Sequence, residues 1–227
     1  MRGFAHTLVD RDLEATDVAA IDDLVVSLDG VGEQLDARPS RRRDVAGLAA
    51  RLFTRPPGGN VALTHFDDCY VSGAHNPVGF ALDARLVDGA VVADLVFGRA
   101  FGVASGHAHG GAIAAVFDDV LGYAVPLLGE PAFTGELTVR YLAPVPTKEP
   151  VRVTARVTGR QGRKVFAEAE LVRRGDRLAS ARATFITVST ETFLQRRDRG
   201  DDPAPQEREH PPSARAVGSA LQRDPER

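Results

Sequence analysis

A chain of 227 residues can bury one sizeable core, and its formal net charge of −3 argues against a general nucleic-acid binder, whose phosphate contacts need a basic surface. Its single cysteine, Cys69, excludes an intramolecular disulfide and a cysteine-based metal cluster within one chain. No apolar run reaches membrane-spanning length, and the N-terminal stretch carries acids where a signal peptide needs apolar residues; the expectation is a cytoplasmic protein with no membrane partner.

Three zones follow one another. Residues 1–60 lean towards helix. Val18, Ile21, Leu24, Val25 and Leu28 recur at helical spacing, with Asp17, Asp22, Asp23 and Asp29 between them. Thr16 is suited to cap this helix, and Gly30 or Gly32 to end it. A shorter helix is expected over Val45 to Phe53, before Pro56-Pro57-Gly58-Gly59. Residues 61–192 hold the core. There, 79–87 and 90–97 read as a hairpin through Asp88-Gly89. A helix over about 110–125 carries Ile113, Val116, Phe117, Val120, Leu121 and Ala124 as one wide apolar stripe. Strands are expected around 133–141, 151–158, 165–171 and 178–188, where apolar and polar residues alternate. One helix segregated from many strands implies an antiparallel α+β domain. Residues 193–227 are charged, rich in proline and poor in apolar anchors. They are read as a disordered tail, because so little burial cannot offset the entropy of ordering.

The chemistry concentrates at the start of the central helix. Gly110 and Gly111 weaken a helix by about 1 kcal/mol each, so their presence needs a reason. Close approach of a ligand to free N–H groups is one, and tight packing of the helix start against a strand is another. Two turns on lies Asp118, with Ala114, Ala115, Leu121 and Gly122 on its face. The small neighbours leave room beside the carboxylate, as a substrate pocket would require. The alternative, an acid at the helix edge reaching solvent, suits Asp119 better. Gly110 and Asp118 are eight residues apart, about 12 Å along the axis. A single reacting carbonyl therefore cannot meet both in one chain, and a site shared between two antiparallel copies of the helix is expected if both act.

At these residues the chain resembles the hotdog-fold acyl-CoA thioesterase superfamily, in particular its phenylacetate-pathway and THEM4-like members. The matching pieces are Asn76-Pro77, His109-Gly110-Gly111-Ala112-Ile113-Ala114-Ala115, Asp118, Thr134, Tyr141 with Pro144 and Pro146, and Gly162-Arg163-Lys164. The resemblance covers about 65–190. It implies a long helix wrapped by an antiparallel sheet, paired as a homodimer or a dimer of dimers. It also implies hydrolysis of an acyl-CoA to free acid and CoA, without cofactor or metal. In that likeness Asp118 matches the general base or nucleophile, and Gly110 the backbone donor to the thioester oxygen. Thr134 matches a hydroxyl that helps place water, and His109 a residue shaping the helix start. Gly111, Asn76, Arg163 and Lys164 fall at positions for holding the substrate, the last two suited to CoA phosphates. The asparagine that some relatives carry shortly before the histidine is absent from 103–108.

Two other functions stay open at this point. One is a hotdog hydratase or dehydratase acting on acyl thioesters. The other is a non-catalytic acyl-CoA sensor, a transcription regulator using residues 1–60, where the acids of the first long helix oppose DNA and the Arg41, Arg42 and Arg43 cluster keeps it open. The histidines show no ligand-spaced cluster, and Gly102-Val-Ala-Ser-Gly106 lacks the spacing of a nucleophile elbow. Cys69 reads as a small buried hydrophobe.

Overall fold

A computed structural model describes residues 2–39, 47, 60–63, 67, 69–80 and 82–192. The helix expected over Val45 to Phe53, apart from Gly47, and the tail 193–227 lie outside the described residues. Two helices come first, α1 (Arg2–Val9) and α2 (Ala15–Asp36). They are followed by β1 (Val61–Ala62), β2 (Asp83–Val87), β3 (Ala90–Val96), α3 (Gly110–Ala124), β4 (Ala132–Tyr141), β5 (Pro150–Gln161), β6 (Lys164–Arg173) and β7 (Asp176–Thr187). The strands form one antiparallel sheet of seven in the order β1-β2-β3-β5-β6-β7-β4. The β2–β3 hairpin turns at Asp88 and Gly89, whose φ values of 49° and 76° are the two positive angles that a tight two-residue hairpin turn demands.

The sheet wraps α3, as the periodicity predicts. Val116, Phe117, Val120 and Leu121 are fully buried, against an inner sheet face that includes Val91, Val153, Val165 and Leu171. Ala93, Ala155, Ala167 and Ala169 are buried on the same strands, and Ala179 and Ala181 on β7. Such small side chains let a helix approach the sheet closely, while each buried leucine or phenylalanine contributes about 1.5–3 kcal/mol. This α+β architecture, one helix embraced by an antiparallel sheet, is the hotdog fold. It places the start of α3 beside the end of β4, and the middle of α3 beside the start of β4, which is the sheet's last strand.

The helical extension is present, with different ends from those expected. α2 begins at Ala15 rather than after a Thr16 cap, because the Glu14 N–H donates to Asp17 Oδ2 at 3.0 Å and closes the first turn. It runs through Gly30 and Gly32 to Asp36, since about 1 kcal/mol per glycine does not stop a long helix. None of its residues is buried, and Val18, Val25 and Leu28 are more than 40% exposed.

α1, by contrast, is docked. His6 Nδ1 accepts from the Ala100 N–H at 3.0 Å, and its ring meets Phe101 edge-on at 5.3 Å. Asp10, just past the helix, pairs with Arg99 at 2.9 Å and with Lys148, and these cations hold its carboxyl below the usual range. Gly98 is required there, because a Cβ would overlap the His6 ring. Gly98→Ala is expected to undock α1 while leaving the sheet intact. Amide hydrogen exchange should rise across residues 2–9 and stay unchanged in β5, β6 and β7.

Candidate active site

The backbone leading into α3 is held on both sides. Ala108 N–H donates to Val145 O at 2.7 Å, and His109 N–H to Phe101 O at 2.8 Å. His109 is the N-cap, in extended conformation, and its Nδ1 accepts from the Gly111 N–H at 2.9 Å. The imidazole is therefore unprotonated at Nδ1. The N–H groups of Ala112 and Ile113 both reach His109 O, at 2.9 and 3.1 Å. Among these first amides of α3, only that of Gly110 lacks a partner among the described residues. From β4, the Tyr141 hydroxyl donates to Gly110 O at 2.8 Å and fixes the orientation of that peptide. The two glycines read together in the sequence thus differ: the Gly111 amide is spent on the cap, and the Gly110 amide is open.

The cap has a measurable consequence. His109→Ala is expected to lower stability by about 1 kcal/mol, whereas His109→Asn, which offers its own acceptor, should recover most of it. Urea unfolding of the three proteins with an unchanged m-value would show this.

Asp118 is exposed on the open side of α3. Thr134 Oγ1, from β4, donates to its Oδ1 at 2.9 Å. A bulge between Thr134 and Glu136 in the β4–β7 ladder aims that hydroxyl. Gly135 supplies the extra residue, and a Cβ there would crowd Ile186 at 3.1 Å. One turn beyond Asp118, a Cβ on Gly122 would meet nothing within 4 Å. The carboxylate is therefore oriented by one hydroxyl and bordered by open space. The burial of the two neighbouring acids is the reverse of the sequence reading. Asp119, expected at a solvent-facing edge, is the buried one at 6% exposure. The 100° step between successive helix residues turns Asp119 into the flank of α3, where the loop 69–80 packs.

The remaining candidates lie further out. Asn76 sits in that loop, with Nδ2 donating to Cys69 O at 3.3 Å and Oδ1 accepting from Val78 N–H at 3.0 Å. Its side chain helps shape the loop. Arg163 follows the β5–β6 turn at Gly162, and its Nε donates to Thr187 O at 3.1 Å. Lys164 is exposed, in register with Ile186, which pairs in turn with Phe133 of β4. It lies at the sheet end that carries Thr134. The structure thus brings Asp118 to Thr134, and His109 and Gly111 together at the helix start beside Gly110. Among the described residues no hydrogen bond or ion pair links Arg163 or Lys164 to them. Among the described residues no group of three or more His, Cys, Asp or Glu is placed to hold a metal ion, and no helix is long and apolar enough to cross a membrane. Sequence reasoning missed two contacts, Cys69 Sγ to Asp119 Oδ1 at 3.0 Å and Tyr123 OH to Ser72 Oγ at 3.1 Å. Each joins residues some fifty positions apart, a separation that local spacing does not reveal.

Residues 105–180, which include the helix start, Asp118 and Thr134, match the family model of the thioesterase superfamily. Over that segment the chain is similar to the thioesterase superfamily. A thioesterase superfamily protein of known crystal structure shares the fold with a TM-score of 0.64 at 22% identity, over 82% of this chain and 86% of that one. Shorter matches include a phenylacetic acid degradation-related putative thioesterase from Ralstonia eutropha, at 29% identity over 48% and 86% of the two chains with a TM-score of 0.45. Another is the E. coli PaaI protein from the phenylacetic acid degradation operon, at 19% identity over 48% and 81% with a TM-score of 0.46. No curated protein matches the sequence significantly.

Proposed function

We propose that the protein hydrolyses an acyl-CoA thioester to the free acid and CoA, with residues 61–192 as the hydrolase unit and residues 1–60 as its helical extension. The observation that carries this reading is the pairing of an unpartnered Gly110 amide at a helix start with a carboxylate, Asp118, held by Thr134 beside open space. The amide and the helix dipole stabilise charge developing on the thioester oxygen. Either Asp118 takes a proton from water as the water oxygen attacks the carbonyl carbon, the C–S bond breaks and that proton passes to the departing CoA thiolate, or Asp118 attacks the carbon itself, expelling CoA, and water then hydrolyses the resulting anhydride to the free acid.

The 12 Å or so between Gly110 and Asp118 along one axis requires a second copy. A twofold pairing lays two α3 helices antiparallel, so that the helix start of one protomer faces Asp118 of its partner. The position of β4 at the end of the sheet supports such a pairing, as do Phe133, Tyr141 and Leu142, which are 41–53% exposed along and just beyond that strand. Homodimer and dimer of dimers both satisfy this geometry. In this reading His109 holds the helix start in shape, and Arg163 and Lys164 meet the CoA phosphates.

The test is a panel of acyl-CoAs of differing chain length and aromaticity, assayed for CoA release beside hydration of an enoyl-CoA, with Asp118→Asn as the control. Release that depends on Asp118 supports the reading. Hydration without release, or tight acyl-CoA binding without turnover, would replace it with the hydratase or the sensor.

A further inference from the structure

α3 carries a second set of polar side chains that the hydrolysis above does not use. Asp119 is 6% exposed and accepts from Cys69 Sγ at 3.0 Å. Tyr123, one turn on and likewise 6% exposed, donates to Ser72 Oγ at 3.1 Å. Burial, together with the neighbouring Asp119 and Cys69, pushes the Tyr123 phenol above its usual range, so it stays protonated and keeps donating. The loop holding both partners is itself tightly wound. Gly73 N–H reaches Cys69 O at 3.0 Å, Asn76 Nδ2 reaches the same oxygen, and Val71 N–H meets Cys69 Sγ at 3.4 Å. A Cβ on Gly73 would overlap the backbone of Cys69 and Asp67. The loop is therefore braced internally, and two of its ties to α3 fall on an i, i+4 pair on one flank. That flank adjoins the open face holding Asp118, while β4 bounds the same face through Thr134 and Tyr141. The loop also exposes two large side chains, Tyr70 at 65% and Val78 at 55%.

We propose that Asp119 and Tyr123 are positioning residues that clamp the 69–80 loop along α3 and so fix the wall of the acyl site opposite β4. The inference rests on the thioesterase reading for its kinetic part only. Neither side chain touches the reacting atoms; each acts through the loop. A fixed wall lowers the entropy lost when the acyl group binds, so loosening it weakens substrate binding more than it slows the chemical step.

Cys69 is the only cysteine in the chain, is partly buried and has its thiol tied to Asp119, so its rate of reaction with an alkylating reagent reports loosening of the clamp without any substrate. Tyr123→Phe and Ser72→Ala remove one hydrogen bond each and keep the surrounding packing. A lost hydrogen bond of about 1 kcal/mol should speed Cys69 labelling roughly 3- to 10-fold. Asp119→Asn keeps an acceptor for the thiol and should label more slowly than Asp119→Ala. In the CoA-release assay Tyr123→Phe and Ser72→Ala should raise KM several-fold and leave kcat within about twofold. Cys69→Ser, which keeps a donor, should resemble the parent, and Cys69→Ala should share the raised KM. Circular dichroism and the urea midpoint identify any variant that fails to fold, and the mild Tyr123→Phe and Ser72→Ala pair then decides. Unchanged labelling in folded Tyr123→Phe and Ser72→Ala, or a loss confined to kcat, overturns the clamp. A protein that releases no CoA from any acyl-CoA would sink the thioesterase reading but leave the labelling result standing.

Discussion

Gly110→Pro is expected to cut kcat for CoA release by about 10²–10³-fold while the protein stays folded, the range found when a single oxyanion donor is removed. The substitution is well placed to isolate that donor. Gly110 is the first residue of α3, the helix position where proline is best tolerated, because the N–H there has no intrahelical partner. His109 has φ −65° and ψ 139°, the extended conformation that a following proline favours. A Cβ at Gly110 would lie 3.4–3.6 Å from Tyr141, which is ordinary contact. Gly110→Ala is the matched control: it adds the same Cβ, keeps the N–H and should retain most activity. Rates for the two variants alongside thermal unfolding would decide the matter. Equal activity of the alanine and proline variants would remove the Gly110 amide from the mechanism.

Asp118→Asn should lower kcat by about 10²–10⁴-fold, the span of a lost general base, with folding and self-association unchanged because the side chain is exposed and isosteric. Thr134→Val removes the hydroxyl that orients the carboxylate and should cost roughly tenfold, less than the loss of the acid itself. Mixing Asp118→Asn with Gly110→Pro protomers then tests whether the site is shared. In a mixed dimer one site joins an intact Gly110 to an intact Asp118, and the other site loses both. Random exchange of equal amounts should restore about a quarter of the parent rate, since half the dimers are mixed and each has one working site. Activity that stays at the level of the separate variants would mean that each chain carries its own complete site, and the antiparallel pairing of α3 would have to be abandoned.

Much of the fold is legible in the sequence, and the reason lies in periodicity. The strands after α3 alternate strictly, as in Val151, Val153 and Ala155 between Arg152, Thr154 and Arg156. A sheet with one wet face and one packed face leaves that pattern. α3 announced itself by a stripe wide enough for burial, and its bounds are close to those read from the stripe. Where competing signals were weak the reading slipped: α2 passes through Gly30 and Gly32, because a glycine shifts a helix by about 1 kcal/mol and does not dictate its end.

What the sequence by itself determined is the content of the candidate site: a histidine before two glycines at a helix start, an acid two turns on, and a threonine on the following strand. Helical rise and strand alternation are local, so they place these residues on known elements at known spacing. What only the tertiary structure decided is how they are used. Gly111 spends its N–H on His109 while the Gly110 N–H stays open, Thr134 reaches Asp118 through a bulge, and Asp119, not Asp118, turns inward to meet Cys69. The last two outcomes depend on contacts between residues 16 and 50 positions apart, and the first on the side-chain conformation of His109, none of which the order of residue types sets by itself.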